Sequence, residues 1–159
     1  MDPQVGPLAL NGSYDARIDD PEALSPHDPG DSSEVAVLAA NEAFYEAFEA
    51  SDLDAMSDVW GHDATIACTH PGWATLHGWA EISSSWFALF QHPSPLQFIL
   101  TDARVRVAGD LAWVTVDENL IGAGPGQTVA AVNVFERIEG RWRMVCHHGS
   151  AVASRRLDG

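Results

Sequence analysis

The residues best suited to chemistry lie in two predicted strands, 128–138 and 141–150, which a two-residue turn connects. Such a turn fixes the pairing of both strands, and alternate residues then share one face of the sheet. The face predicted in this way contains Ala131, Asn133, Phe135, Trp142, Met144, Cys146 and His148. At its polar end the Asn133 amide lies near the His148 imidazole, and both can stabilise a developing oxyanion. His148 is otherwise a hydrogen-bonded structural histidine, and His147 points to the opposite face, towards a subunit interface or solvent.

A carboxylate joins this face in one of two strand registers. If the preceding loop consists of the four residues 123–126, Glu118 lies on the same face. An odd-length loop would instead bring Asp117 and Asn119 to that face. We favour Glu118, because an acidic residue at a half-buried position needs a partner or a purpose such as proton transfer.

A further histidine, His70, ends the alternating segment DATIACTH and precedes Pro71. An imidazole that titrates near neutral pH can accept a proton, although His70 could also only cap the strand end. Trp73, in the loop that follows, is placed to contact a ligand. A metal site built from His70, His148 and Glu118 would have suitable ligand types but lacks any local spacing signature, so no metal is predicted.

The elements that must position these residues are three helices followed by strands. Ser33 begins the first helix, Asp52 or Asp54 begins a short second helix that runs to Trp60, and a third ends before the HPSP cluster. The buried stripe of the first helix is Val37, Ala40, Phe44 and Phe48, and that of the third is Trp79, Ile82, Trp86, Leu89 and Phe90. The strands are predicted at 96–107, 111–121, 128–138 and 141–150. Helices followed by a meander of strands predict an α+β fold with an antiparallel sheet.

Composition limits the domain organisation and the partners. Residues 1–31 contain seven acidic residues and five of the nine prolines, which predicts a disordered acidic tail. The domain is predicted to span 32–153, with a short tail at 154–159. A formal net charge of −15 disfavours nucleic acid and anionic membranes as partners. Two cysteines without zinc-site spacing, and no signal or membrane-spanning segment, predict a cytoplasmic protein.

The chain contains, in order, the strings EAFYEAFEASDLDAMSDVWGHDATI, HPGW, HGWAEISSSW and NVFERIEGRWRMVCHHGS, which span about residues 34–151. In these strings it resembles the nuclear transport factor 2-like superfamily, in its SnoaL-like and ketosteroid-isomerase-like branch near the calmodulin-kinase association domain. The resemblance implies a curved antiparallel sheet wrapped around three helices, a cone-shaped, cystatin-like barrel with a pocket. It indicates the fold more strongly than the activity, because the superfamily contains isomerases, cyclases, epoxide hydrolases and binding proteins.

The resemblance also implies positions for an active site. In isomerases of this branch an aspartate before a proline is the general base, and a tyrosine with a protonated aspartate forms the oxyanion hole. Here His70 precedes the proline, and Asn133 occupies the position of the protonated aspartate. Phe44 falls at the tyrosine position, with Tyr45 beside it, so one hydroxyl donor is missing. Steroid isomerase activity as such is therefore not expected.

Together these arguments predict a small-molecule pocket protein without a cofactor. The predicted catalytic residues are His70, Glu118, Asn133 and His148, and the predicted substrate contacts are Phe44, Trp73, Trp86, Phe135 and Met144. The pocket would act as an isomerase, cyclase or hydrolase by acid–base chemistry on a mostly apolar polyketide-, terpene- or steroid-like compound. The alternative is a non-catalytic ligand-binding or association module. In either case Val132, Val134 and Val145 are predicted to form a homodimer interface.

Overall fold

The computed structural model describes residues 32–93, 95–122 and 125–153, which form three helices and one six-stranded sheet. The elements are α1 (Ser32–Ala50), α2 (Leu53–Val59), β1 (Ala67–Thr69), β2 (Leu76–His77), α3 (Gly78–Phe90), β3 (Gln97–Ala108), β4 (Leu111–Ile121), β5 (Gln127–Ile138) and β6 (Arg141–Ala151). The tails predicted at 1–31 and 154–159 lie outside the described residues. The α+β class with three helices against a sheet is confirmed.

Helix α1 buries Val37 and Phe44 of the predicted stripe and two polar residues besides, whereas Ala40 and Phe48 are half-buried. Val37 and Phe44 are fully buried, and so are Asn41 and Tyr45, which lie on the same side one helical turn apart. The helix ends at Ala50, and the following residue, Ser51, has a left-handed φ of 51°. Asp52 then begins α2, because its carboxylate accepts a hydrogen bond from the Ala55 amide.

The sheet has the strand order β2-β1-β6-β5-β4-β3 and is open, because its edge strands are not paired to each other. Neighbouring strands are antiparallel except β1 and β6, which are parallel. The inner face packs against the helices and forms one hydrophobic core around Phe44, Trp60, Trp86 and Phe135. Helix α1 lies across β3, β4 and β6, so its side chains meet those of the central strands.

A β-bulge in β6 changes which histidine faces the core. The hairpin begins as predicted, with Ile138 opposite Arg141 and Phe135 opposite Met144, but Val134 is then opposite Cys146. Val145 is the extra residue, and beyond it every side chain faces the side opposite to the one an unbroken ladder would give. The prediction that His148 faces inward was therefore wrong.

The pairing of β4 with β5 is displaced from the predicted register without changing faces. Glu118 pairs with Val129, and Ala131 pairs with Val116. The displacement is an even number of residues, so Glu118 still points to the inner face, as favoured over Asp117 and Asn119.

Candidate functional site

A cavity of about 160 Å³ lies between the helices and the inner face of the sheet, beside the turn that follows β1. Three titratable side chains line it: His70, Glu118 and His147. The apolar wall contains Phe48, Trp73, Leu89, Phe98, Leu120 and Val129. The three titratable residues are 3–5% exposed. Their protonation is therefore controlled by burial as well as by their neighbours.

Glu118 is the carboxyl group of the cavity. The Tyr45 hydroxyl donates a hydrogen bond of 2.7 Å to its Oε1. Burial raises the pKa of the Glu118 carboxyl to about 7, against the smaller lowering effect of the Tyr45 hydrogen bond. Burial, followed by the charge of Glu118, raises the pKa of Tyr45, which keeps its proton. Glu118 can therefore gain and lose a proton near neutral pH.

His147 is held by Asn133, which is fully buried. Nδ1 of His147 is 2.6 Å from Oδ1 of Asn133, whose Nδ2 donates to Asn41 Oδ1 at 2.8 Å and to Tyr45 Oη at 3.0 Å. The amide oxygen is the acceptor, so Nδ1 of His147 bears the proton and Nε2 is left with a lone pair. Burial, together with nearby His70 and His148, lowers the pKa of His147 to about 3, so the ring is neutral at pH 7.

The direction of these hydrogen bonds bears on the oxyanion-stabilising role that the sequence suggested for Asn133. Both N–H groups of the Asn133 amide are already donated, so Asn133 does not offer a proton to a substrate oxyanion. Instead it fixes the tautomer of His147 and the orientation of the Tyr45 hydroxyl. The four side chains Glu118, Tyr45, Asn133 and His147 are called the buried network below.

His70 lies on the opposite side of the cavity, held by α3. Its Nε2 is 3.0 Å from Ser85 Oγ, and the Ser85 hydroxyl donates to the Ile82 carbonyl oxygen. Since that hydroxyl has only one proton, Nε2 of His70 is the donor. Burial lowers the pKa of His70 to about 4. The ring packs edge-on against Trp73 and Trp86, at centroid distances of 4.9 and 4.8 Å.

Gly149 allows the turn after His70 to lie against β6. A Cβ at Gly149 would be 3.1 Å from both Pro71 Cγ and Val129 Cγ1, which is closer than ordinary contact. Pro71 and Val129 both line the cavity. A side chain at position 149 would therefore have to displace Pro71 and Val129 by a few tenths of an ångström where the cavity wall meets the sheet.

The structure places the predicted site residues in three groups. His70, Glu118 and Trp73 line the cavity, with Trp73 46% exposed at its edge. Asn133 lies directly behind His147. His148 is exposed on the outer face and does not line the cavity, because the bulge at Val145 turns it away.

The remaining predicted substrate contacts are buried in the core. Phe44, Trp86, Phe135 and Met144 are at most 1% exposed and are absent from the cavity wall. Phe44 and Trp86 support the site from behind, with Phe44 4.9 Å from the His147 ring centroid. Substrate contact by these four residues therefore stays a prediction that the lining of the cavity does not support.

Tyr45 and His147 are the site residues that sequence reasoning did not assign. For Tyr45 a signal existed: Val37, Asn41 and Tyr45 recur at intervals of four, which extends the buried side of α1 to polar positions. His147 had no comparable signal, because neither glycine nor proline marks the bulge. Among the described residues there is no cluster of three or more His, Cys, Asp or Glu side chains arranged to hold a metal ion.

Residues 37–154 match the profile of the SnoaL-like domain, and the chain belongs to this family within the nuclear transport factor 2-like superfamily. A structure from Streptomyces avermitilis, described as a "putative dehydratase from the NTF2-like family", is 39% identical with a TM-score of 0.74. The match covers 78% of this chain and 99% of that one.

Two further relatives have different descriptions. A "putative calcium/calmodulin-dependent protein kinase type II association domain" from Thiobacillus denitrificans is 39% identical, with a TM-score of 0.63, over 73% of this chain and 94% of that one. The F-box protein SKIP8 of Arabidopsis thaliana is 31% identical over 118 residues, or 74% of this chain and 50% of that protein. This chain therefore spans half the length of that curated relative. The comparisons thus define the family of this chain. Its activity has to be inferred from the residues of the site.

Proposed function

We propose that the cavity binds a small, mostly apolar molecule and transfers protons in an isomerisation or elimination, with Glu118 as the acid–base group. The observation behind the proposal is one carboxyl group in an apolar cavity, hydrogen-bonded to Tyr45, whose pKa burial raises to about 7. An acid–base group is most effective when its pKa is near the working pH. The name dehydratase given to the Streptomyces avermitilis relative supports elimination as the form of the reaction.

The roles follow from the hydrogen bonds already described. Tyr45 donates to Oε1 of Glu118, so the neutral carboxyl carries its proton on Oε2 and can donate it to a leaving oxygen. Nε2 of the neutral His147 carries the lone pair that accepts the substrate proton, and a pKa of about 3 means that the imidazolium so formed gives the proton up again readily. If one proton leaves as another arrives, no net charge forms in the cavity. The lack of a free donor for an oxyanion is then no obstacle.

The proposal is tested by incubating the protein in D₂O with a panel of single-ring and multi-ring ketones and β-hydroxyketones. Mass spectrometry measures both deuterium incorporation and loss of water. Glu118→Gln keeps an acceptor for the Tyr45 hydroxyl but has no exchangeable acid proton, so turnover should fall at least 100-fold. Asp117→Asn, on the outer face, is the matched control and should keep wild-type rates. A panel on which Glu118→Gln and wild type perform equally would overturn the proposal.

The pH dependence separates the acid role from the base role. If protonated Glu118 is the acid, kcat/KM is constant below about pH 7 and falls above it, because the proton is lost there. His70 and His147 have pKa values of about 4 and 3, so they give no rise between pH 5 and 7. A rate that instead increases through pH 7 would assign Glu118 as the base.

Association between copies of the chain is the second candidate. Val132 is 41% exposed on the outer face, with Val134 beside it, and a relative is described as an association domain. A two-fold homodimer through this face is therefore proposed. Val145, which the sequence placed in the same patch, instead packs against the core at the bulge. Light scattering that finds Val132→Glu and wild type equally monomeric would contradict the dimer.

A cytoplasmic location is also proposed. No described helix is long and apolar enough to cross a membrane. Cys68 and Cys146 are both free thiols, which is compatible with the reducing cytoplasm.

A further inference from the structure

The polar atoms that the cavity offers to a ligand are few, and their hydrogen-bonding character is defined. The hydroxyl of Tyr45 is donated to Glu118, and the two N–H groups of Asn133 are donated to Asn41 and Tyr45. Nε2–H of His70 faces Ser85, and Nδ1 of His70 lies 4.0 Å from Cys68 Sγ. Of the cavity-lining groups, Oε2 of Glu118 and Nε2 of His147 have no hydrogen-bond partner among the described residues.

Both atoms remain accessible. In the described part of the chain, the side-chain nitrogen and oxygen atoms that are both solvent-inaccessible and without a hydrogen-bond partner are Nε1 of Trp60 and Nε1 of Trp86. Oε2 of Glu118 and Nε2 of His147 are not among them. Glu118 and His147 both line the cavity, so the space next to these two atoms is the cavity itself. An atom placed there must satisfy them, because a buried polar group without a partner is costly.

The two atoms make complementary demands. Nε2 of His147 only accepts, because Nδ1 holds the single ring proton. Oε2 of Glu118 donates when the carboxyl is neutral and accepts when it is ionised. A hydroxyl group satisfies both when the carboxyl is neutral, since its oxygen accepts from Oε2–H while its one proton is donated to Nε2. A ketone or ether oxygen has no proton to give to His147.

Size and charge narrow the ligand further. The cavity measures about 160 Å³, and a cavity of about 150 Å³ in another protein accommodates benzene. A four-ring steroid has several times the volume of benzene. No arginine of the described residues lines the cavity, the sequence contains no lysine, and the net charge is −15, so an anionic ligand would meet no compensating charge there.

We propose that the ligand of this site is a neutral alcohol or phenol about the size of one six-membered ring, whose hydroxyl lies between Glu118 Oε2 and His147 Nε2. The proposal rests on the proposed function of the cavity and specifies its substrate class. It narrows the polyketide-, terpene- or steroid-like range expected from the sequence to its smallest members. The apolar ring then packs against Phe48, Leu89 and Phe98.

The test compares probes in the wild-type chain. Protein labelled with ¹⁵N at histidine is titrated with phenol, cyclohexanol, anisole, cyclohexanone, benzoate and the four-ring phenol estradiol. The ¹⁵N resonances of His70 and His147, which both line the cavity, report occupancy by any probe, and a donated hydrogen bond shifts Nε2 of His147 in addition. Phenol and cyclohexanol should bind at least about tenfold more tightly than anisole and cyclohexanone, the value of one buried hydrogen bond. Benzoate and estradiol should leave the resonances unchanged.

Two variants separate the hydroxyl contact from simple burial of a ring. His147→Phe removes the acceptor, so occupancy is followed in this variant at the labelled His70, which also lines the cavity. The preference for phenol over anisole should fall to within about threefold, and folding is checked by thermal unfolding. His148→Gln, one residue along the same strand and on the outer face, should keep the full preference. If His147→Phe does not fold, the probe comparison in wild type still decides.

The outcomes distinguish this inference from the proposed function. Equal binding of phenol, anisole and cyclohexanone would overturn the hydroxyl assignment while leaving a ligand cavity and the Glu118 assay intact. Tight binding of estradiol would overturn the size limit. If no probe shifts the His147 resonance, the inference fails, whereas proton transfer is still judged by the loss of turnover in Glu118→Gln.

Discussion

The two faces of the central sheet present similar side chains in different surroundings. On the inner face Asn133 is fully buried and His147 is 3% exposed, and they are bonded to each other. On the outer face Asn119 bonds to backbone and hydroxyl groups of neighbouring strands, and His148 is exposed. Residue type therefore does not distinguish a site from a surface here. Burial does, because it shifts pKa values and makes each hydrogen bond obligatory.

Cavity volume is an equally poor guide. A larger cleft of about 460 Å³ lies between α1, α2 and the β5–β6 turn. Its charged residues Glu46, Asp52 and Asp58 lie beside Arg141 at an open surface, among small residues such as Ala43. We assign the chemistry to the smaller cavity, because within the described part of the chain it is there that buried titratable groups converge in one hydrogen-bonded network.

The largest expected effect comes from removing the centre of the buried network. Asn133→Ala leaves Nδ1–H of His147 and Oδ1 of Asn41 without partners in the core, which should lower the free energy of unfolding by about 3 kcal/mol. Asn119→Ala, an asparagine of the outer face, should cost less than about 1 kcal/mol, because water replaces its bonds. Urea unfolding of both variants measures the difference. Equal losses would contradict the comparison between the faces.

A smaller effect, dependent on pH, is expected for Glu118→Gln. The folded pKa of Glu118, about 7, lies above its ordinary value of 4.5, so folding favours the protonated carboxyl. Its stabilising contribution is complete below about pH 4.5 and is lost as the pH rises through 7. Glu118→Gln should therefore be more stable than wild type at pH 8, by on the order of 2 kcal/mol, and equal to it near pH 4.

The control for this pH dependence lies on the adjacent position of the same strand. Asp117→Asn, on the outer face, should differ little from wild type in its free energy of unfolding at pH 8. Thermal unfolding followed by circular dichroism at pH 4, 6 and 8 provides the measurement for both variants. A Glu118→Gln variant that is less stable than wild type at pH 8 would show that the buried carboxylate is net stabilising.

The strands could be predicted closely because turns and alternation are local signals. Strands β3 to β6 begin and end within one residue of the predicted limits. The face on which Glu118 lies was predicted correctly although the β4–β5 register was wrong, because the register is displaced by an even number of residues. The choice between His147 and His148 could not be predicted. It depends on an unpaired Val145, and a bulge with no glycine or proline leaves no mark in the sequence.

Long-range geometry accounts for the other errors. The parallel pairing of β1 with β6 joins segments that are distant in the chain, and this pairing places His70 across from the buried network. The position of the cavity depends on how α1 and α3 lie over the sheet, which periodicity does not determine. Phe44 and Trp86 were therefore correctly predicted as inward-facing, but sequence could not show that they lie behind the cavity wall.

The smallest expected effects concern volume and test whether the larger cleft matters. Ala43→Leu adds bulk to the cleft without touching the buried network, so stability should change by less than about 0.5 kcal/mol and phenol affinity should be unchanged. Leu120→Phe adds a ring inside the smaller cavity and should weaken phenol binding at least tenfold, because the remaining space no longer admits a six-membered ring. The histidine-labelled titration measures both. If Ala43→Leu weakens phenol binding and Leu120→Phe does not, the ligand occupies the larger cleft, and the binding site must be assigned to that cleft instead of the smaller cavity.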